Sequence, residues 1–349
     1  MMKQTPMIGI LSGTHQHQPF SGDKQFFENI QRECIKNGGI SFVFTPSGIQ
    51  SETLEGFLFE NDRWKRKKFP YPHLVYNRLP SHSLENSKQI QSFFHTLKNL
   101  NIPFFNRKFI DKWDAYTTLN NGEHFLIRLP KTELLTDTET AVLFLKTYSF
   151  IYVKPTRGKM GKGIFTLTYH NENDILLTTH QTAKKITIDH VRHIFSHLLR
   201  HRHETYILQQ GIIPDEYKKQ KYDFRILLVR TDSDWNVIGI GVRAADKNRI
   251  TTHTVRGGKL LPLKLVTSTN DIENLTAMAK QIASQLAKKE QILRECSLDI
   301  GKDKNGNYWM FEINTKPMAF DERDIETKRI SELAKTFFHL INDSSGIHF

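Results

Sequence analysis

A short turn near the C-terminus constrains this chain more than any other part of its sequence. Asn305-Gly306 lies between two apolar runs, and this dipeptide is a strong sign of a β-hairpin, because both central residues of a type I′ turn need a positive φ. Residues at equal distances on either side of such a turn face each other. Asp299 lies six residues before Asn305 and Glu312 six residues after Gly306. The two carboxylates are therefore predicted to face each other, with Cβ atoms roughly 5 Å apart.

The facing carboxylates indicate a cation site. Two carboxylates repel each other unless a positive charge lies between them. Asn314 points to the same face as Glu312, because side chains alternate along a strand. We expect Asp299, Glu312 and Asn314 to offer oxygen ligands to a hard divalent cation, with Mg²⁺ carrying a substrate's phosphates as the first candidate. The alternative is a solvated hairpin whose acidic side chains point into water.

Length and composition limit the classes of protein to which the chain can belong. With 349 residues, of which 38% are hydrophobic, it is expected to form two or three packed subdomains. The N-terminal apolar stretch at 7–11 is too short for a signal peptide or a membrane span, so we expect a cytoplasmic protein with no membrane partner. Cys34 and Cys296 form neither a disulfide framework nor a CxxC metal pair, which fits a reducing compartment.

The chain is basic. Its 49 Lys and Arg residues exceed its 37 Asp and Glu residues by 12, and such a surplus attracts polyanions of any kind. The densest basic run, at 64–68, reads WKRKK and raises the hypothesis of a nucleic-acid partner. The run is short and has no second basic stripe beside it, so we interpret it as a solvated loop.

The order of predicted strands and helices indicates an α/β fold in three parts. The first, residues 1–105, alternates strands and helices as a parallel sheet does; its strands are predicted at 7–12, 40–44, 74–78 and 102–106, and its helices at 23–37 and 84–99. The second, residues 106–205, has strands at 150–155 and 164–169 and a helix at 189–203. The third, residues 206–349, has a hairpin of 223–230 with 235–243, a helix at 271–288, the acidic hairpin and a last helix at 322–341.

A glycine-rich segment follows the strand that ends near Lys154. Gly158, Gly161 and Gly163 lie among basic residues that include Lys162. Glycines let backbone N–H groups approach an anion, and a lysine at a strand end supplies a charge for a phosphate oxygen. The segment matches neither GxxxxGK[ST] nor GxGxxG, so it is not a P-loop or a Rossmann fingerprint.

Charged residues also lie within the predicted 223–243 hairpin. Asp223 and Arg225 share one face of their strand, and Arg243 on the partner strand can face them. Charged side chains on an inner sheet face need a ligand or an ion pair, and a structural Asp–Arg pair remains the alternative. Arg256-Gly257-Gly258 offers a second cationic corner. The sequence contains no GxSxG and no HExxH, which disfavours a nucleophilic or zinc hydrolase.

Several motifs in order carry a resemblance to a known family. They are DKW at 111–113, VKPTRGKMGKGIF at 153–165, ILQQGI at 207–212, DFRILLV at 223–229, the Arg-Gly-Gly corner at 256–258, and LDIG at 298–301 with FEINTKP at 311–317. In this order they resemble the ATP-grasp superfamily over about 105–345. MIGIL at 7–11, WKRKKFPYP at 64–72 and VYNRLP at 75–80 are similar to the bacterial, spore-coat-associated YheC/YheD-type members. The resemblance implies an N-terminal α/β domain followed by two α+β subdomains that clasp ATP between them.

The resemblance also implies the nucleotide contacts. Lys112 and Lys154 would hold phosphates, and the segment with Gly158, Gly161, Lys162 and Gly163 would close over them as a lid. Gln209, Gln210 and Ile212 would present backbone groups to adenine, with Asp215 or Glu216 near the ribose. Many relatives have an acidic residue in this adenine segment, where this chain has Gln209-Gln210.

The metal and phosphoryl contacts follow in the same way. The resemblance implies that Asp299, Glu312 and Asn314 hold one or two Mg²⁺ ions, which Mn²⁺ could replace. Arg225, Arg243 and Arg256 would stabilise the transferring γ-phosphoryl group. Related amino-acid ligases often carry Asn three residues before the Arg-Gly-Gly corner, where this chain has His253.

Three functions remain in view. The leading expectation is an ATP- and Mg²⁺-dependent ligase that joins a small-molecule or peptide carboxylate to an amine or another nucleophile such as a thiol, through an acyl phosphate. The second is a spore-coat or scaffold protein that binds nucleotide without turnover, and the third is a nucleic-acid binder. The substrates and the oligomeric state stay open, a homodimer included. Residues 14–20, Asn77 and Arg78 are candidate specificity residues.

Overall fold

The computed structural model describes residues 5–121, 126–158, 161–200, 204–245, 258–289 and 292–345. The predicted site residue Arg256 lies outside these ranges, as do His253 and residues 159–160 of the glycine-rich segment. The described residues form three six-stranded sheets with helices packed on them, which confirms the predicted α/β fold. None of the described helices combines the length and the apolar character needed to cross a membrane.

The first sheet has a parallel centre, as predicted. Its strands are β1 (Met7–Leu11), β2 (Ile40–Ile49), β3 (Thr53–Glu60), β4 (Arg63–Pro70), β5 (Leu74–Asn77) and β6 (Phe104–Phe105). They lie in the order β4-β3-β2-β1-β5-β6, and the pairs from β2 to β6 are parallel. Its helices are α1 (Lys24–Lys36), α2 (His82–Glu85) and α3 (Lys88–Asn99). The single helix predicted at 84–99 is divided, because Ser87 caps the N-terminus of α3 with its hydroxyl.

The basic run is a strand, and its interpretation as a loop is wrong. Residues 63–70 form β4 at the edge of the sheet, paired with β3 across a two-residue turn of Asn61 and Asp62. Both turn residues have positive φ, 53° and 58°, which gives the twist that a tight hairpin needs. Glu55 and Glu60 on β3 form ion pairs with three of the cations on β4.

The second sheet is antiparallel. Its strands are β7 (Thr132–Leu134), β8 (Phe150–Pro155), β9 (Phe165–Asn171), β10 (Asp174–Thr178), β11 (Ala183–Ile186) and β12 (Tyr206–Gln210), in the order β11-β10-β9-β8-β12-β7. Three helices, α4 (Lys112–Asn120), α5 (Thr138–Tyr148) and α6 (Ile188–Arg200), belong to this part of the chain. Side chains of α5 and α6 build the core on the sheet. The second sheet extends past the predicted boundary at 205, because β12 pairs with β7 and β8.

The third sheet carries the predicted acidic hairpin. Its strands are β13 (Glu216–Tyr217), β14 (Gln220–Arg230), β15 (Trp235–Ala245), β16 (Lys259–Leu261), β17 (Glu295–Lys302) and β18 (Tyr308–Asn314). The order is β16-β15-β14-β17-β18, with β13 on β14. Helix α7 (Thr269–Lys289) packs on the sheet together with side chains of α4. Helix α8 (Arg323–Ser345) packs between this sheet and α1 of the first part.

The pairing of Asp299 with Glu312 is confirmed, but the predicted turn type is wrong. Near the turn Lys302 pairs with Tyr308, one residue away from the symmetric register. Only Gly306 has a positive φ, 81°, so the turn is not type I′. A bulge between Asp299 and Ile300 shifts the register by one residue. The bulge cancels the offset at the turn and brings the two acidic residues opposite each other.

Candidate functional site

A cleft lies between the second and third sheets. Four predicted site residues line it: Lys112, Lys154, Gln209 and Glu312. The remaining wall is mainly apolar: Ala115, Tyr116, Leu129, Pro130, Ile207, Met310, Phe311 and Ile313. These apolar residues were not predictable as site residues, because a hydrophobic residue that lines a cleft has the same sequence pattern as one in the core. An apolar wall with a few convergent charges is typical of a ligand site.

Lys112 connects three parts of the cleft. It opens α4, whose N-terminus is capped by the Asp111 carboxylate. Its Nζ donates to the carbonyl of Gly158 at 2.9 Å and lies 3.3 Å from Oε1 of Glu312. The ammonium therefore lies between the glycine-rich segment and the acidic hairpin, where a phosphate group could replace either contact.

Lys154 lies on the second sheet and points into the same cleft. Its Nζ donates to Oε1 of Gln209 at 2.6 Å and lies 4.9 Å from the centre of the Tyr152 ring. Burial lowers the pKa of Lys154 to about 8, while the Glu312 carboxylate opposes this shift. The lysine is thus a strongly perturbed cation in a cleft, which is typical of functional sites.

The facing carboxylates are neutralised by cations of the protein. Asp299 lies 3.0 Å from the Arg243 guanidinium, which also donates to both oxygens of Asp223 at 3.0 and 3.1 Å. Asp223, Arg243 and Asp299 are all buried. Burial would lower the pKa of Arg243, but the two carboxylates outweigh it and raise this pKa. The Asp–Arg pair left open by the sequence is therefore present, and it also reaches Asp299.

The donor set of the hairpin fits a magnesium ion. Asp299 and Glu312 are cross-strand neighbours, and Asn314 follows on the same face as Glu312. Two carboxylates and an amide oxygen are ligands that Mg²⁺ accepts when water and phosphate complete its shell. In the described part of the chain no three His, Cys, Asp or Glu side chains gather closely enough to hold a metal ion alone, so phosphate oxygens or water would have to supply the other ligands.

Arg225 lies beside the carboxylates on the central strand. It is the cross-strand partner of Asp299 on one side and of Gly241 on the other. Its guanidinium donates to the carbonyls of Met318 and Ala319 at 2.9 and 3.1 Å and stacks 4.1 Å from the centre of the Phe320 ring. The segment that follows β18 therefore holds the arginine next to Asp299, which lies between Arg225 and Glu312 in the sheet.

The glycine-rich segment is described only in part. Gly161 and Gly163 have positive φ values of 66° and 72°, which other residues rarely adopt. The carbonyl of Gly161 lies 3.0 Å from Nε2 of His180, a contact that the sequence did not indicate. Lys162 is exposed and lies outside the lining of the cleft. The role of this segment as a lid stays a prediction.

Four residues of the predicted adenine and ribose segment lie outside the lining of the cleft: Gln210, Ile212, Asp215 and Glu216. The side-chain oxygen of Gln210 accepts from the Lys131 N–H at 3.2 Å, and Ile212 is buried. The carboxylate of Asp215 accepts from the hydroxyl of Tyr222 at 3.1 Å, and Tyr222 belongs to the core under α7. Their predicted contacts with nucleotide stay predictions.

The specificity candidates at the end of β5 belong to a domain junction. Asn77 is buried and donates to Glu85 at 2.7 Å. Arg78 donates to the carbonyl of Pro317 at 2.8 Å and to Glu295 at 3.4 Å. The Arg78 side chain therefore links the first sheet to the C-terminal part of the chain, whereas Asn77 bonds to residues close to the first sheet.

Known proteins share this fold and sequence pattern. A family model described as YheC/D-like ATP-grasp matches residues 101–340. The endospore coat-associated protein YheD of Bacillus subtilis (strain 168) is 30% identical over 332 residues, which cover 89% of this chain and 72% of YheD.

Solved structures show the same fold at low identity. D-alanyl-alanine synthetase A from Vibrio cholerae O1 biovar eltor str. N16961 superposes with a TM-score of 0.61 at 12% identity, over 98% of this chain and 99% of that chain. A RiPP-associated ATP-grasp ligase of Chryseobacterium gregarium, in complex with ADP and a leader and core peptide, superposes with a TM-score of 0.55 at 14% identity, over 97% of each chain.

Proposed function

We propose that this chain, which belongs to the YheC/D-like ATP-grasp family, is a ligase that uses ATP and Mg²⁺ to join a carboxylate to an amine through an acyl phosphate. One observation carries the proposal. Two ammonium groups and a carboxylate, those of Lys112, Lys154 and Glu312, converge on a single cleft. The ammonium groups suit nucleotide phosphates, and Glu312 with Asp299 suits the Mg²⁺ that accompanies them.

The reaction needs positioned charges more than acid–base groups. A substrate carboxylate attacks the γ-phosphorus and ADP leaves; the amine then attacks the acyl carbon, loses a proton to solvent, and phosphate leaves. Bound Mg²⁺ would neutralise charge on the phosphate oxygens. We assign to Arg225, next to Asp299 in the sheet, the stabilisation of charge that would develop on the transferred group. Because Arg243 is bound to Asp223 and Asp299, we assign it the positioning of Asp299.

The test is ADP release in the presence of ATP and Mg²⁺, measured with pooled amino acids, pooled peptides and polyanions. One pool should raise the rate, and Asp299→Asn should abolish the increase, because the metal loses an anionic ligand. Small carboxylates and peptides are the first substrates to test, since the similar solved structures include a D-alanyl-alanine synthetase and a ligase with bound peptide. No increase with any pool would contradict the ligase proposal.

A specific observation also favours nucleotide binding without turnover. Each facing carboxylate already has a cationic partner, Lys112 for Glu312 and Arg243 for Asp299. The acidic pair is therefore electrostatically tolerable without a metal ion, and its presence alone does not require catalysis. Binding of MgATP without ADP release would support this function, and association with a spore coat would rest on the name of the similar YheD protein.

A further inference from the structure

The Lys154 ammonium in the cleft has a neutral partner. Lys154 donates to Oε1 of Gln209 at 2.6 Å, and Nε2 of Gln209 donates to the hydroxyl of Thr132 at 3.2 Å. Gln209 is only 8% exposed, and its backbone is paired on both sides, with Thr132 on β7 and Tyr152 on β8. Since an ammonium group can only donate, the amide oxygen must face Lys154, and the amide group is fixed in one orientation.

The charged groups around Lys154 leave its charge without a direct counterion. Glu312 on β18 and Asp299 on β17 attract it, and Lys112 on α4 repels it. Glu312 forms its ion pair with Lys112, and Asp299 forms its ion pair with Arg243. Among the described residues, no carboxylate lies within 4.0 Å of the Lys154 ammonium.

We propose that Gln209 is a positioning residue that points the Lys154 ammonium into the cleft while leaving its positive charge available to nucleotide phosphates. The inference rests on the proposed nucleotide site and adds a residue to it. A glutamate at 209 would hold the lysine in the same place, but it would neutralise the charge before any phosphate arrives. A neutral amide gives the position without this competition.

The arrangement makes nucleotide binding depend on pH in a defined direction. Burial lowers the pKa of Lys154 to about 8 in the free protein, and bound phosphates raise it again, because anions favour the charged form. Binding is therefore coupled to proton uptake above pH 8. Affinity should be constant below about pH 7.5 and fall by up to about tenfold per pH unit above 8, where the phosphates of MgADP no longer titrate.

The experiment measures the Kd of MgADP by calorimetry from pH 6.5 to 9.5 for three proteins. The wild type should lose affinity above pH 8. Gln209→Glu should bind at least tenfold more weakly at pH 7, and its affinity should stay flat to pH 9, because the carboxylate raises the pKa of Lys154. Gln25→Glu, the same change at an exposed position of α1, should behave as the wild type and controls for the added negative charge.

Two results would overturn the inference and leave the proposed function standing. One is a wild type that binds MgADP with the same affinity at pH 7 and pH 9. The other is a Gln209→Glu protein that binds more weakly but keeps the pH profile of the wild type, since that pattern indicates a packing defect. A wild type that does not bind MgADP at any pH would overturn the proposed function as well.

Discussion

Lys154→Ala should weaken MgATP binding by tenfold or more. The ammonium would make charge-assisted hydrogen bonds to phosphate, each contributing about 1.5 to 3 kcal/mol. Calorimetry at pH 7 measures the effect. Lys146→Ala is the matched control, because Lys146 is paired with Glu172 on the surface of the same subdomain and should leave the Kd unchanged. Equal affinities of wild type and Lys154→Ala would remove this lysine from the site.

The position of Lys154 was predictable from the sequence, but its partner was not. A lysine at a strand end before three glycines indicates an anion site, and the structure places this lysine in the cleft. Its contact with Gln209 depends on the pairing of β8 with β12 across 55 residues of chain. A single sequence contains no local signal for such a pairing.

At the scale of elements, the acidic hairpin was predicted correctly for a partly wrong reason. The carboxylate of Asp303 accepts from the N–H groups of Asn305 and Asn307 at 2.9 Å each, and from the Trp309 ring at 2.9 Å. These bonds favour a longer turn that begins at Asp303 over the two-residue turn that Asn305-Gly306 indicates. The compensating bulge had no signal in the sequence.

The hairpin of β3 and β4 was not predicted, although it has the two-residue turn that the acidic hairpin lacks. Asn61 and Asp62 both have positive φ and form the two-residue turn, although the dipeptide lacks the glycine that usually marks it. The strand β4 that follows carries five basic side chains on an edge of the sheet, where charge prevents unwanted strand pairing. Composition alone therefore indicated a loop where register and turn geometry produce a strand.

Gly306→Ala tests the observed turn. Gly306 has φ of 81° with no atom within 4 Å of the position of an added Cβ, so the cost comes from backbone conformation alone. We expect a loss of about 1 kcal/mol in the free energy of unfolding. Lys304→Ala in the same turn, where φ is not positive, should change stability little. Urea denaturation compares the two, and equal effects would contradict the assigned turn.

At the scale of the whole molecule, a buried polar network joins the first sheet to the C-terminal part. Glu295 is fully buried and accepts from Arg329, Tyr76 and Arg78 at 2.7, 2.7 and 3.4 Å. Arg329 also donates to the carbonyl of Pro317 at 3.0 Å, in the segment after Asn314. The network holds this segment beside the site. Its contacts across the junction were not predictable, because Tyr76 and Arg78 are more than 200 residues from Glu295 in the chain.

Arg329→Ala should destabilise the protein by about 3 to 5 kcal/mol, because it leaves the buried Glu295 carboxylate without its closest cation. Lys335→Ala on the same helix is the matched control. Lys335 forms an exposed ion pair with Glu332 and should contribute less than about 1 kcal/mol. Urea denaturation measures both variants, and a loss for Arg329→Ala no larger than that of the control would show that the network does not stabilise the junction.

Thermal melts of wild type and Glu312→Gln, with and without MgATP, test the central claim most directly. The change is nearly isosteric and removes one of two facing charges, while Lys112 already offsets that charge in the free protein. Without nucleotide we expect the Tm values to agree within about 3 °C. MgATP should raise the Tm of the wild type and of the control Glu172→Gln, but hardly that of Glu312→Gln, because Mg²⁺ loses an anionic ligand. A Glu312→Gln protein that melts much lower alone, yet gains as much from MgATP as the wild type, would contradict the account.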